Sequence, residues 1–257
     1  MLLAIDVGNT NIHFGLHNGS AWLATWRART VPLKMGDEYA VLLRNFMGMD
    51  GFDLSVIDAV VMASVVPDLT HTLIEMSQRH LKRDPLNVEP GTKTGIKVLV
   101  DNPREVGPDR VVNSAAVRQL YGTPAIVIDF GTATTWDVLN ADGNYVGGII
   151  APGIGLAHDA LVSRTARLVK VDLTPPPSVV GHNTVHAMQS GLFLGYVSMI
   201  EGLVARIKDE LRAPRARVIA TGGLAPLFAE HTSAIDEIAP YLTLDGLRII
   251  WEMNQKQ

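Results

Sequence analysis

The 257-residue chain has no cysteine. Disulfides, thiolate nucleophiles and cysteine-ligated zinc are therefore excluded. It has no basic run or stripe, and its formal net charge is −4. Nucleic acid is bound through clustered Lys and Arg, so no nucleic-acid partner is expected. No apolar run approaches the roughly 20 residues that cross a bilayer, so no membrane partner is expected either. The first residues read as a strand, not as a basic segment followed by an apolar one, which leaves a cytoplasmic location as the default expectation. No Gly-Lys dipeptide occurs, and so no Walker A loop. A G-x-S-x-G elbow is missing too. If phosphate is bound, other loops must bind it. What is present is ordinary globular material, 47% hydrophobic and 19% charged. That supports an ample core in one large domain or two of ordinary size.

The most informative stretch is residues 125–135, AIVIDFGTATT. A short β-branched run bounded by turn residues reads as a buried strand. It ends in Asp129, then Phe130, Gly131 and three threonines among the next four residues. An unpaired carboxylate is costly in a core. Carboxylate, glycine and hydroxyls together suit a metal–phosphate site. A plain strand-to-turn junction, with Asp129 capping the turn, explains the same residues. The N-terminus repeats the pattern. Ile5-Asp6-Val7-Gly8-Asn9-Thr10 matches Ile128-Asp129-Phe130-Gly131-Thr132-Ala133 in order and type. Each copy runs on to a hairpin signal, Asn18-Gly19 and then Asp142-Gly143, followed by another apolar segment. The chain thus reads as two βββ units, one per half, each opened by an Asp-x-Gly turn.

Between and after these units the pattern alternates. Apolar spacing predicts a helix over 37–47 and a strand within 56–66. A second helix is expected from Pro67, where a missing N–H does no harm. Short strands are expected at 85–88 and 96–100. A polar loop, 101–110, leads into a helix over 111–120. Asp109 and Arg110 stand where that helix begins. They read either as a capping Asp with a solvated Arg, or as a proton acceptor beside an anion-binding Arg. Gly153-x-Gly155 has the first two glycines of a dinucleotide loop, but His158 occupies the third position. Residues 174–178, TPPPS, form no regular element and read as a rigid loop or flap. Asn183 or Thr184 caps the longest helical pattern, which reaches about residue 211. His182 and His186 are four apart, but no acidic partner completes a zinc motif, so a cap and polar face is the better reading. A last strand at 217–220 ends in Thr221-Gly222-Gly223. Helices over 225–229 and 244–253 follow, the second with Leu247, Ile250 and Trp251 on its apolar face.

Two Asp-Gly hairpin units and a late Thr-Gly-Gly resemble the superfamily of acetate and sugar kinases, actin and heat-shock chaperone ATPases. Within it the chain is most similar to type III pantothenate kinase. The motifs are Asp6-x-Gly8-Asn9-Thr10, Gly107-Pro108-Asp109-Arg110, Asp129-x-Gly131-Thr132-Ala133-x-Thr135-x-Asp137, Gly147-Gly148, Pro152-Gly153, Thr165-Ala166-x-Leu168, Gly181-x-Asn183-Thr184, Gly191 and Thr221-Gly222-Gly223. They run in the family's order over nearly the whole chain.

The resemblance implies an α/β fold of two duplicated actin-like (ribonuclease H-like) domains, each a mixed β-sheet with flanking helices. The expected division is 1–118 and 119–257. It implies ATP-dependent phosphorylation of pantothenate, the first step of coenzyme A biosynthesis. It further implies a homodimer, Mg²⁺, and a monovalent cation, K⁺ or NH₄⁺. By the same resemblance Asp6, Val7, Gly8, Asn9, Thr10, Asn11, Ile12 and His13 form the first phosphate loop. Asp6 would hold Mg²⁺ directly or through water. Asp109 matches the general base. Gly107, Pro108 and Arg110 match the rest of the substrate loop, and Thr184 a pantothenate contact. Asp129 matches the monovalent-cation ligand and Thr132 an ATP contact. Two departures stand out. Val100 replaces a frequent aromatic residue, and Pro108 a commoner small one. Two other readings fit such a fold: a non-catalytic regulatory accessory protein, and a kinase or phosphatase acting on another small molecule.

Overall fold

The computed structural model describes residues 1–255. In chain order its main elements are β1 (Leu2–Val7), β2 (Asn11–His17), β3 (Trp22–Arg29), α1 (Gly36–Met49), β4 (Ala59–Ser64), α2 (Pro67–Met76), β5 (Leu86–Asn87) and α3 (Pro108–Leu120). Then come β6 (Ala125–Phe130), β7 (Ala133–Leu139), β8 (Tyr145–Pro152), α4 (Ile154–Ser163), α5 (Thr184–Gln189), α6 (Gly195–Glu210), β9 (Arg217–Thr221), α7 (Ala225–Ala229), β10 (Glu237–Ile238) and α8 (Leu242–Gln255). They form two compact units. One is Met1–Leu120 with the chain from Tyr241 onward; the other is Tyr121–Pro240.

The two units repeat one topology. The first sheet runs β3-β2-β1-β4-β5, and the second β8-β7-β6-β9-β10. In each, an antiparallel βββ meander is extended on its first strand by two parallel strands. Even the irregularities correspond. The second strand of each meander carries a register shift near its end, at Leu16/His17 and at Val138/Leu139. Gly19 and Gly143 take positive φ in the two hairpin turns, the backbone state that their missing side chains permit.

Strand alternation sorts the cores. Leu3, Ile5 and Val7 face a core with Tyr39, Leu43 and Met47 of α1 and Leu69 and Leu73 of α2. Leu2 and Ala4 face the other side, against Val112 and Ala115 of α3 and Leu244, Leu247 and Ile250 of α8. The expected division put residues 119–257 in one domain, yet α8 belongs to the first unit. Its apolar stripe is covered by α3 and the back of the first sheet. The strand expected at 96–100 is reduced to an isolated bridge at Val98. Ile96 instead packs its side chain against the α3–α8 core.

In the second unit, Ile126, Ile128 and Phe130 pack on Phe193, Tyr196, Ile200 and Val204 and on Phe228 of α7. A wider-turned segment, Ser190–Leu194, joins α5 to α6. The resulting Thr184–Glu210 helix is long and apolar enough, by length and composition, to cross a bilayer. Here its apolar stripe supplies the core of this unit.

Candidate active site

In the first unit, Asp6 lies next to the end of β1, on the face opposite the α1–α2 core. Its cross-strand partner on β2 is His13, and on β4 it is Ala63. His13 is in turn opposite Arg27 of β3. A row Ala63–Asp6–His13–Arg27 therefore crosses one face of the sheet. Burial, with Arg27 adding to it, lowers the His13 pKa to about 4, so the ring is neutral at physiological pH. The turn after Asp6 is pinned from within. Gly8 N–H donates to Asn11 O at 3.0 Å, and Thr30 Oγ1 donates to Gly8 O at 2.6 Å. Thr30 N–H also donates to Thr10 O at 2.9 Å. Asn9, Thr10 and Asn11 are exposed. Val7 and Ile12 are fully buried in the α1–α2 core, so any ligand contact they make runs through their backbone. Thr30 was not singled out from sequence; a threonine following a strand carries no signal of its own.

Asp109 sits in the first turn of α3, after Pro108, whose fixed φ suits a helix start. Gly107 O accepts the first helical N–H groups, from Arg110 at 3.1 Å and Val111 at 3.3 Å. The carboxylate bends back: Asp109 Oδ1 accepts the Arg110 N–H at 2.9 Å. Burial nevertheless pushes the Asp109 pKa up, outweighing that hydrogen bond and the Arg110 charge. Asp109 thus satisfies part of the helix end and is also a carboxylate of raised basicity. The same loop adjoins the end of β4. Val65, whose N–H donates to Val7 O at 3.0 Å, lies beside Gly107. A cavity of about 400 Å³ opens along this loop, walled by Val88, Ile96, Val98, Val106, Pro108 and Val111. Its size and apolar lining with a few polar groups suit a small molecule.

In the second unit, Asp129 occupies the place that Asp6 has in the first, opposite Thr135 on β7 and Thr221 on β9. Two other sequence motifs, Pro152-Gly153 and Thr221-Gly222-Gly223, converge on its loop. Gly153 N–H, at the start of α4, donates to Thr132 O at 3.0 Å. Gly222 lies directly against the strand end. A Cβ there would stand 2.6 Å from Phe130 O and 2.8 Å from Asp129 Oδ1, and its φ of +90° is one that residues with side chains rarely adopt. Thr132 is exposed. Thr184 is also exposed, one residue after Asn183, whose side chain accepts the His186 N–H at 2.9 Å as the helix cap. Gly181, Asn183, Thr184, Met188 and Leu192 line a cavity of about 610 Å³.

Among the described residues no three His, Cys, Asp or Glu side chains cluster as a metal site. A catalytic Mg²⁺ is commonly held by one or two carboxylates plus substrate phosphates and water, so Asp6, just before the exposed turn that follows β1, fits that requirement. The Asp129 carboxylate and Phe130 carbonyl bound a cradle that a Cβ at position 222 would fill. That all-oxygen donor set suits a hard monovalent cation.

Two sheets of the same order, each opened by an Asp-x-Gly turn between its first two strands, define a duplicated actin-like fold of the kinase and ATPase class. Solved structures agree. The chain is similar to a Baf-family protein from Campylobacter jejuni, with TM-score 0.64 and 18% identity, covering 99% of this chain and 100% of that one. It is also similar to MreB 5 of Spiroplasma citri bound to AMPPNP, with TM-score 0.57 and 11% identity, covering 99% and 97%. These likenesses show the fold alone. The family model for type III pantothenate kinase matches residues 2–206. A type III pantothenate kinase from Moorella thermoacetica is 50% identical over 254 residues, covering 99% of this chain and 100% of the relative. The chain belongs to the type III pantothenate kinase family.

Proposed function

We propose that this protein transfers the γ-phosphoryl group of ATP to the hydroxyl of pantothenate, giving 4′-phosphopantothenate and ADP in the first step of coenzyme A biosynthesis. The observation that carries this reading is the 50% identity to the Moorella pantothenate kinase over essentially the whole chain. The regulatory and other-acceptor readings have no such support.

Asp109 acts as general base. As the pantothenate oxygen attacks the γ-phosphorus, its proton passes to the Asp109 carboxylate, and the bond to the β-phosphate oxygen breaks. The raised pKa suits this role, because a base works best when its pKa approaches the working pH. Arg110 offers a cation to the substrate carboxylate. Gly107, Pro108 and Thr184 contact pantothenate. Residues 6–13 and Thr132 position the nucleotide, which phosphoryl transfer needs more than covalent chemistry. When bound, Mg²⁺ at Asp6 and a monovalent cation at Asp129 supply neutralisation of phosphate charge. The assembly is a cytoplasmic homodimer. The test is product analysis with pantothenate, ATP and Mg²⁺, in potassium or ammonium buffer and in a buffer lacking both. Formation of 4′-phosphopantothenate that depends on the monovalent cation is expected. No product in any of these buffers would defeat the assignment. Equal turnover without K⁺ or NH₄⁺ would remove the cation role from Asp129.

A further inference from the structure

Gly107 has no backbone reason to be glycine. Its φ lies outside the left-handed region that favours glycine. What it lacks is room for a side chain. A Cβ at 107 would stand 2.5 Å from Asp109 Oδ1 and 3.6 Å from Asp109 Cγ. The next atom, Val65 Cγ1, is 3.8 Å away, an ordinary contact. The space that a methyl group would take is therefore held by the Asp109 carboxylate. Pro108, between the two, has its φ locked by the ring, so the separation of 107 and 109 has little freedom to adjust.

We propose that Gly107 is a positioning residue, and that its missing side chain is the seat of the Asp109 carboxylate. The proposal rests on the reading of Asp109 as the base. The obstructing atom is the tip of a rotatable side chain, not backbone. A methyl group at 107 is thus accommodated by turning Asp109 into another staggered rotamer. The fold tolerates this, but the base is redirected. A displacement of about 1 Å at a reacting group can cost on the order of 100-fold in rate.

The experiment compares Gly107→Ala, Asp109→Ala and the double variant by kcat, KM for ATP, and urea midpoint. Gly107→Ala is expected to lower kcat by about 30- to 100-fold, with KM for ATP changed less than about 2-fold. Any loss of stability caused by Gly107→Ala should vanish in the Asp109→Ala background, where no carboxylate opposes the methyl group. Wild-type kcat in Gly107→Ala would overturn the proposal. So would a stability loss that persists without the carboxylate, because the methyl group would then be meeting something else. If Asp109→Ala itself turns over normally, it is the reading of Asp109 as base that fails, and the two failures are distinct.

Discussion

At the scale of single residues, two ionisable groups of the first unit are shifted in opposite directions, each chiefly by burial. The Asp109 pKa is raised. Its contribution to stability is therefore full below the unfolded carboxylate value and is lost as pH rises through the folded one. At neutral pH the ionised group costs stability. Asp109→Asn should lower kcat by about 10²–10⁴-fold, the usual worth of a general base, while the melting temperature holds or rises. A lowered melting temperature would show the carboxylate to be a structural cap instead. His13 is depressed to about 4. Its neutral form is the folded form, so this contribution is full above the unfolded value near 6.5. It is lost as pH falls from there through about 4. His13→Asn, which cannot titrate, should flatten the fall in melting temperature across that window. Parallel acid-side curves for the two proteins would argue against it. Both residues stood in recognisable motifs. Their shifts were illegible, because desolvation depends on neighbours distant in sequence.

At the scale of elements, the last helix carries the clearest lesson. Its stripe of Leu247, Ile250 and Trp251 is plain in the sequence, and so is its amphipathic character. Its partner is not. α8 crosses back to lie on α3, with Gly246 against the Val112 carbonyl and Val112 Cγ1, and Thr243 Oγ1 donating to Asn113 Oδ1 at 2.8 Å. A Cβ at 246 would fall far inside contact distance of Val112 O, which is backbone and cannot rotate away. Gly246→Ala should thus cost at least the ~1–3 kcal/mol typical of overpacking, read as a drop in urea midpoint. Because α3 also carries Asp109, kcat should fall with it. An unchanged midpoint would mean that the helices separate freely, and that α8 does not set the position of α3. The strand expected at 96–100 is not formed, for a related reason. Its β-branched residues satisfy a strand pattern, but β5 pairs over only two residues, and Ile96 packs its side chain against the α3–α8 core.

At the scale of the whole molecule, the duplicated topology was legible because each half announces itself with the same punctuation: strand, Asp-x-Gly, strand, turn, strand. The matched bulges and the parallel extensions on β1 and β6 followed from no short motif. The second unit exposes Ile150, Leu156, Val169, Val179, Val180 and Val185, several of them more than half accessible. A homodimer interface of the kind proposed above would need such residues gathered into one patch. For that homodimer we expect light scattering after gel filtration to give twice the 27.8 kDa of the chain. A mass that stays at the monomer value across a concentration series would count against the homodimer.

The amino-acid order by itself determined the periodicity of the strands and helices, the doubling of the Asp-x-Gly turn and the membership in a kinase family. Each of these is written in local spacing, and local spacing survives without a fold. Only the tertiary structure decided that α8 belongs with the first unit, that Gly222 and Gly153 close on the Asp129 loop, and that the absent side chain of Gly107 leaves room for a carboxylate. Those facts depend on which surfaces meet and how closely, and packing distances between elements are not encoded in any window of neighbouring residues.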